Sequence, residues 1–221
     1  MRNLLKFIKN RKIKSIFILS FLLILYTFIC ASSYANTMEF ELSNNVFRLH
    51  VIANSDSSED QNLKYLVRDN IIEYMNSISY DCKTKQEAMN LAKENIDNFE
   101  QIALETIKDE GFNYDVNIEI GNFSFPTKQY GDISFPAGTY DALKIQIGDA
   151  IGQNWWCVMF PSLCFIDVDS NYLSDSSKEQ LNENMSDEAY ELVSDNSSSE
   201  IKFKFKILEF FANNSIFTAK K

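Results

Sequence analysis

The stretch from Phe47 to Met75 most constrains the fold, because the spacing of its apolar residues changes partway along it. At first apolar and polar residues alternate, with Phe47, Leu49 and Val51 on one side, which predicts a strand. Apolar residues then recur at three- and four-residue steps, which predicts an amphipathic helix. The helical set is Leu63, Leu66, Val67, Ile71 and Met75. The chain therefore contains a strand that passes directly into a helix.

The connection between this strand and helix, residues 54–61, is polar and acidic. Ser58 and Gln61 have the spacing of a capping box, and the acids here lie where the helix dipole is positive. A calcium or magnesium site is the alternative, but the loop has no glycine and lacks EF-hand spacing, so we expect no metal. Polar groups at the carboxyl end of a strand often form a binding site. A basic residue of a partner would suit the four that we select: Asn54, Ser55, Asp56 and Asp60.

The remainder of the domain predicts one more helix and several strands. A second capping box, Thr84 with Glu87, opens a helix that ends near Gly111. The strands are predicted at residues 114–120, 123–129, 139–147 and 155–160. The last of these is apolar on both faces, which predicts a central position in the sheet. The fold class is therefore α+β, a mainly antiparallel sheet with two helices packed on one face.

Trp155 and Trp156 are adjacent in the last predicted strand, so they should point to opposite faces of the sheet. One of them should pack beneath the helices. The other should be covered by the apolar segment Ile201–Phe211 or, if left open, should anchor a partner. Both are therefore candidate partner-binding residues.

The first 35 residues have the composition of an export signal. Six basic residues precede an apolar run, Ser15–Ala31, which is followed by Ser33-Tyr34-Ala35, a small-x-small cleavage pattern. As a helix the run would span about 25 Å, a little short of a bilayer core, which favours cleavage after Ala35 over a permanent anchor. We expect a signal peptide, or a signal anchor, at 1–35, an α+β domain at 40–166, an acidic Ser/Asn-rich connection at 167–199, and a C-terminal segment at 200–221 that packs on the domain.

The residues after position 35 include 15 basic and 31 acidic side chains. This strongly acidic balance argues against nucleic acid or anionic lipid headgroups as partners. It permits a neutral or basic protein surface as a partner.

Catalytic chemistry has few candidates in this chain. His50 is the single histidine, and no G-x-S-x-G elbow is present. A hydrolase would have to use the surface of Arg48, His50 and Asp56, whereas a strand histidine packed or hydrogen-bonded at a surface is the simpler interpretation. We therefore expect a binding module that needs no cofactor. Cys157 and Cys164 flank a Phe-Pro turn and are candidates for a disulfide; the alternative is three buried free thiols.

Two blocks of the sequence closely resemble the stage II sporulation protein R family of endospore-forming bacteria. The first is R-L-H-V-I-A-N-S-D-S-x-x-D-Q-x-L-K-x-x-V-R-D, at residues 48–69. The second is F-P-A-G-T-Y-D-A-L-K-I-Q-I-G at 135–148, followed by G-Q-N-W-W-C-V-M-F-P-S-L-C-F at 152–165. The resemblance covers roughly residues 46–165, with a weaker echo at 203–210.

The resemblance implies a signalling protein that is made in the forespore and secreted across its membrane into the intermembrane space. There it would trigger a membrane-embedded aspartic protease of the sporulation protein GA type, which processes the precursor of sigma factor E. Residues Arg48, His50, Asn54, Ser55, Asp56, Asp60, Trp155 and Trp156 are the candidate contacts for this partner. The alternatives are a secreted hydrolase and an inert structural protein of the cell envelope.

Overall fold

The computed structural model describes residues 2–164, 175–194 and 205–207. Its elements in chain order are α1 (Arg2–Asn45), β1 (Phe47–Ile52), α2 (Ser58–Ile78), α3 (Lys85–Glu94), α4 (Ile96–Asp109), β2 (Val116–Phe125), β3 (Lys128–Tyr130), β4 (Ile133–Phe135), β5 (Gly138–Ile147), β6 (Asn154–Phe160), α5 (Asp175–Asn184) and α6 (Asp187–Ser194). Residues 40–205 form one compact unit, and residues 1–39 belong with 206–221 to another. The sheet and helices α2–α6 lie in the first unit, which carries the candidate site.

Helix α1 contains the apolar run interpreted above as an export signal. Within Lys12–Asn45 it is long and apolar enough to cross a membrane, with a mean hydropathy of 2.3 over an 18-residue stretch. Large apolar side chains of that run are exposed, for example Phe17 and Leu19, each by 69%. A helix of this kind near the N-terminus is compatible with a signal or membrane-inserted segment. Cleavage after Ala35 stays a prediction.

The main sheet has four strands in the order β2-β5-β1-β6. Strand β1 pairs with β5 in parallel and with β6 in antiparallel orientation, and β2 pairs with β5 in antiparallel orientation. The prediction of an α+β fold with a mainly antiparallel sheet is therefore confirmed. Strand β1 lies inside the sheet and all six of its residues are buried. Alternate residues of β1 therefore point to opposite faces of the sheet, and both of these faces are buried.

Strand β6 lies at one end of the sheet, so the prediction of a central position for residues 155–160 was wrong. Its last four residues are buried although it has one strand neighbour. An apolar pattern on both faces shows that both faces are covered, and it does not report how many strands lie alongside. The strand boundaries also differ from the prediction at β2. It is a single ten-residue strand, where two shorter strands at 114–120 and 123–129 were predicted.

Helices α2, α3 and α4 follow the predicted apolar stripes with two corrections. Helix α2 is capped by Ser57, whose side chain accepts a hydrogen bond from the Asp60 backbone, and not by Ser58. The predicted second helix breaks at Asn95 into α3 and α4, so three helices precede the sheet's remaining strands. The capping box of Thr84 and Glu87 is present, and Gly111 has a φ of 82° just after α4.

The opposite face of the sheet is covered by the β3–β4 ribbon. The Tyr130 hydroxyl donates to the Trp156 carbonyl at 3.2 Å, which fixes the ribbon to β6. Helix α6 contacts β4, and Lys178 of α5 pairs with Asp132 in the ribbon turn at 2.6 Å. The stretch at 167–199 was predicted as an acidic Ser/Asn-rich connection, yet α5 and α6 lie within it and Leu181 and Val193 are buried. Most of the segment Ile201–Phe211, predicted as the cover, lies outside the described residues; within it, Phe205 is buried.

Candidate functional site

The loop between β1 and α2 is held by the carboxylate of Asp60. Its Oδ2 accepts hydrogen bonds from Asn54 Nδ2 at 2.8 Å and from Ser55 Oγ at 2.5 Å. Asp60 is 3% exposed and lies in the first turn of α2, where the helix dipole favours negative charge. Three of the four predicted loop residues therefore bind one another. Their first role is to fix the path of the chain from strand to helix.

The electrostatics of Asp60 follow from these contacts. Burial alone would raise the pKa of this carboxyl group. Hydrogen bonds from the side chains of Ser55, Asn54, Tyr114 and Ser57 outweigh that penalty and hold the pKa below its usual value. Asp60 is consequently a charged group in the folded protein at neutral pH, and its charge is turned toward its own loop.

Two glycines allow this loop to lie directly against the connection between β5 and β6. A Cβ on Gly148, whose φ is 55°, would lie 2.2 Å from Asn54 Oδ1. A Cβ on Gly152 would lie 2.2 Å from the backbone oxygen of Ser55. Asn54 Oδ1 also accepts from the Asp149 backbone at 2.9 Å. The two sequence blocks that carry the family resemblance thus meet here, and sequence reasoning missed both glycines as site residues although each follows or precedes a predicted strand.

Asp56 differs from the other three predicted loop residues, Asn54, Ser55 and Asp60, because its side chain is exposed. The next three residues, Ser57, Ser58 and Glu59, are exposed as well. The loop therefore presents an acidic outer surface, while Asn54, Ser55 and Asp60 support it from beneath. A basic group of a partner could reach Asp56 without displacing any of the loop's hydrogen bonds.

Arg48 is completely buried on the opposite face of the sheet, at 0% exposure. Its guanidinium carbon lies 4.1 Å from the ring centre of Phe125 and 4.7 Å from that of Tyr140. Nη2 donates to the Tyr130 hydroxyl at 2.6 Å, whereas Nη1 has no hydrogen-bond partner among the described residues. Aromatic faces attract a cation, which offsets part of the cost of burying this charge. Arg48 therefore holds the β3–β4 ribbon on the sheet and is not a surface contact.

His50 lies on the same face as Arg48 and stacks on Trp156, with ring centres 3.6 Å apart. Its Nε2 is 2.7 Å from Asn154 Oδ1. Burial is the main cause that lowers the pKa of His50 to about 4; the Asn154 hydrogen bond opposes this shift and the charge of Lys144 adds to it. At neutral pH the imidazole is consequently uncharged. The structure brings Arg48, His50 and Trp156 together in one aromatic layer.

Trp155 points to the other face, as the alternation of strand residues predicts. Its ring meets Tyr65 edge-on, with centres 5.6 Å apart, and Arg68 of α2 lies 4.2 Å above it. The side chain is half-buried, and so is that of Trp156. One tryptophan does pack beneath a helix. Tyr65 and Arg68 were missed from sequence because neither belongs to the predicted apolar stripe of α2, which they flank.

Cys157 and Cys164 are joined by a disulfide, with their Cα atoms 5.3 Å apart. The bond closes the turn that follows β6 and contains the cis peptide between Phe160 and Pro161. The open choice between a disulfide and free thiols is settled in favour of this pair. Cys82 remains a free thiol.

Fold and site together define an α+β domain that follows an apolar N-terminal helix and uses its strand-end polar groups to shape an acidic loop. In comparisons with known proteins, the model of the family described as stage II sporulation protein R matches residues 43–170, and the chain belongs to this family. It is similar to Stage II sporulation protein R of Bacillus subtilis (strain 168), with 39% identity over 126 residues. That match covers 57% of this chain and 56% of the relative, so the chain aligns with little more than half of the relative's length. No solved structure matches.

Proposed function

We propose that this chain is an exported signal of sporulation, released from the forespore to trigger a membrane-embedded aspartic protease in the mother-cell membrane. The protease, of the sporulation protein GA type, would then process the precursor of sigma factor E. Membership of the stage II sporulation protein R family, over residues 43–170, is the observation that carries this proposal.

The N-terminal helix supports export. Its apolar stretch near the N-terminus has the length and composition of a signal or membrane-inserted segment. The part of the chain after residue 35 carries about twice as many acidic as basic side chains, which suits a soluble ligand that acts on a neutral or basic surface. Membrane contact would then be limited to the N-terminal segment.

The contact residues that we propose are the exposed Asp56 and the half-buried Trp155 and Trp156, whose rings lie on opposite faces of the edge strand β6. The other five candidates, Arg48, His50, Asn54, Ser55 and Asp60, support these positions from within. Aromatic side chains with one open edge are frequent anchors in protein interfaces. Asp56→Ala should therefore lower precursor processing without changing the unfolding midpoint. Asp81→Ala, which removes another exposed acid beyond the end of α2, is the matched control.

A secreted hydrolase built on Arg48, His50 and Asp56 is less well supported. The guanidinium of Arg48 is buried, and the imidazole of His50 is stacked and already bound to Asn154. A general base has to reach the proton that it removes and works best with a pKa near the working pH. The pKa of His50, about 4, makes this ring a weak base.

Deletion of the gene tests the proposal directly. We expect the sigma E precursor to remain uncleaved in the deletion strain and to be cleaved again when the wild-type gene is restored. Immunoblots of the precursor through sporulation would give the measurement. Normal processing in the deletion strain would refute the proposed function.

A further inference from the structure

The two edge strands of the main sheet, β6 and β2, differ in how their outer edges are protected. On the outer edge of β6, the Val158 carbonyl accepts from the Leu163 backbone at 3.0 Å, and the Trp156 carbonyl accepts from the Tyr130 hydroxyl. The disulfide that starts at Cys157 folds the following turn back beside this strand. Edge strands are normally protected against further pairing. The edge at β6 is protected by the chain itself.

Strand β2, at the other end of the sheet, lacks several of the usual protections within its own sequence. It runs for ten residues, pairs with β5 in continuous register, and contains no proline, lysine or bulge. Its single charged side chain, Glu119, is paired with Lys144 at 2.8 Å. Within the described ranges of the chain, no strand pairs with the outer edge of β2.

A hydrogen bond at the end of the β2–β5 pairing shows which backbone groups of β2 point away from β5. Gly148 donates to the Asp115 carbonyl at 2.8 Å, so Asp115 and every second residue after it face β5. The residues between them direct their N–H and C=O groups outward: Val116, Ile118, Ile120, Asn122 and Ser124. The first three of these also carry half-buried apolar side chains, so an added strand would bury apolar surface as well as backbone.

The charge around this edge limits what can bind there. Residues 96–125, which form β2 and the helix α4 packed on it, contain seven acidic side chains and one basic side chain. A second copy of the chain would bring the same acidic surface to the edge, and like charges would oppose it. A neutral or basic segment would meet no such repulsion.

We propose that the outer edge of β2 binds an extended segment of a partner protein as an additional strand. The segment would have apolar residues at alternate positions, facing Ile118 and Ile120, with a basic residue between them toward Glu119. Strand addition of this kind uses backbone hydrogen bonds for affinity and alternate side chains for specificity. Resting on the proposed function, we assign the segment to an extracytoplasmic part of the membrane-embedded protease. The edge lies next to the acidic loop, because Tyr114, just before β2, interacts with Asp60.

Hydrogen exchange of the full chain alone tests whether the edge is open. The amides of Ile118 and Ile120 should exchange at least about tenfold faster than the inward amides of Asn117 and Glu119. Equal, slow exchange in a chain that sediments as a monomer would show that its own remaining residues cover the edge. Equal, slow exchange in a dimer would assign the edge to a second copy. Either result overturns the proposal.

Variants of Ile118 test whether precursor processing depends on binding at the outer edge of β2. Ile118→Pro removes one outward N–H and leaves the bonds to β5, and Ile118→Lys keeps every backbone group but adds an edge lysine that repels a basic segment. Ile118→Val is the matched control. In sporulating cells we expect processing of the precursor to fall about tenfold for the proline and lysine variants and to be unchanged for valine. Ile118→Lys decides the outcome if the proline variant does not fold, as judged by thermal unfolding.

The two proposals fail in different ways. Normal processing in a strain without the gene would refute the proposed function. A different result would refute only the proposal about the edge of β2. In that result, processing is lost in the strain without the gene, but folded Ile118→Pro or Ile118→Lys supports normal processing; the proposed function would then be retained.

Discussion

Replacement of Asp60 by alanine should separate the structural part of the acidic loop from its exposed part. The change deletes the hydrogen bonds from Asn54 and Ser55 to one carboxylate oxygen and leaves both donors in a partly buried loop. A hydrogen bond to a charged group contributes about 1.5–3 kcal/mol. Because the outer loop is in water, we take the low end for each, about 3 kcal/mol in total. Urea unfolding of the exported chain at pH 7, followed by circular dichroism, would measure the loss in the free energy of unfolding.

Glu59→Ala is the control, since Glu59 is an exposed acid in the same first turn. It should cost its interaction with the helix dipole, about 0.3–1 kcal/mol, together with an exposed hydrogen bond from the adjacent Ser58. The pKa of Asp60 is lowered in the folded state, so its contribution is complete above the ordinary carboxyl pKa of about 4 and is lost as pH falls through the folded-state pKa. The difference between wild type and Asp60→Ala should therefore shrink in acid. A loss equal to that of Glu59→Ala, or one that stays constant into strong acid, would refute the reasoning.

Three further expectations concern the buried guanidinium, the disulfide and the N-terminal segment. Tyr130→Phe removes the hydroxyl bound to the buried guanidinium and should lower the free energy of unfolding by about 1–3 kcal/mol, whereas Tyr80→Phe, at 88% exposure, should be neutral in the same denaturation assay. Paired Cys157→Ser and Cys164→Ser replacement should cost about 2.5 kcal/mol on the chain-entropy estimate for so short a loop, and a reductant should reproduce that loss in the wild type but not in the variant. Edman sequencing of the exported chain should start at Asn36; a membrane-bound product that retains the first residues would instead indicate an anchor.

Local features of the fold could be predicted because neighbouring residues determine them. The amphipathic stripe from Leu63 to Met75 and the capping box at Thr84 both appear in the structure, since a helix needs only contacts between residues three and four apart. The alternation of Phe47, Leu49 and Val51 likewise marked a strand whose two faces differ. The disulfide was a candidate for a similar reason, because the two cysteines are only seven residues apart, but the choice between it and free thiols stayed open until the structure showed the bond.

The roles of the candidate site residues depended on partners distant in sequence. Arg48 looked like a surface contact, but Tyr130, Phe125 and Tyr140 close over it when the β3–β4 ribbon folds onto the sheet. The chain from 54 to 61 looked like an open polar site, but the structure turns Asp60 inward and leaves Asp56 outside. Burial of a polar group is decided by what packs on it, which composition does not report.

The sequence by itself determined that this chain has strands and amphipathic helices behind an apolar N-terminal segment, because period, caps and composition are local properties. Only the tertiary structure decided, within the described part of the chain, that β6 is an edge, that β1 runs parallel to β5, and that the outer side of the ten-residue strand β2 is unpaired. Strand order is set by which surfaces bury each other across long separations in sequence. A strand buried on both faces has the same apolar pattern at an edge as at the centre, so no local pattern could have distinguished them.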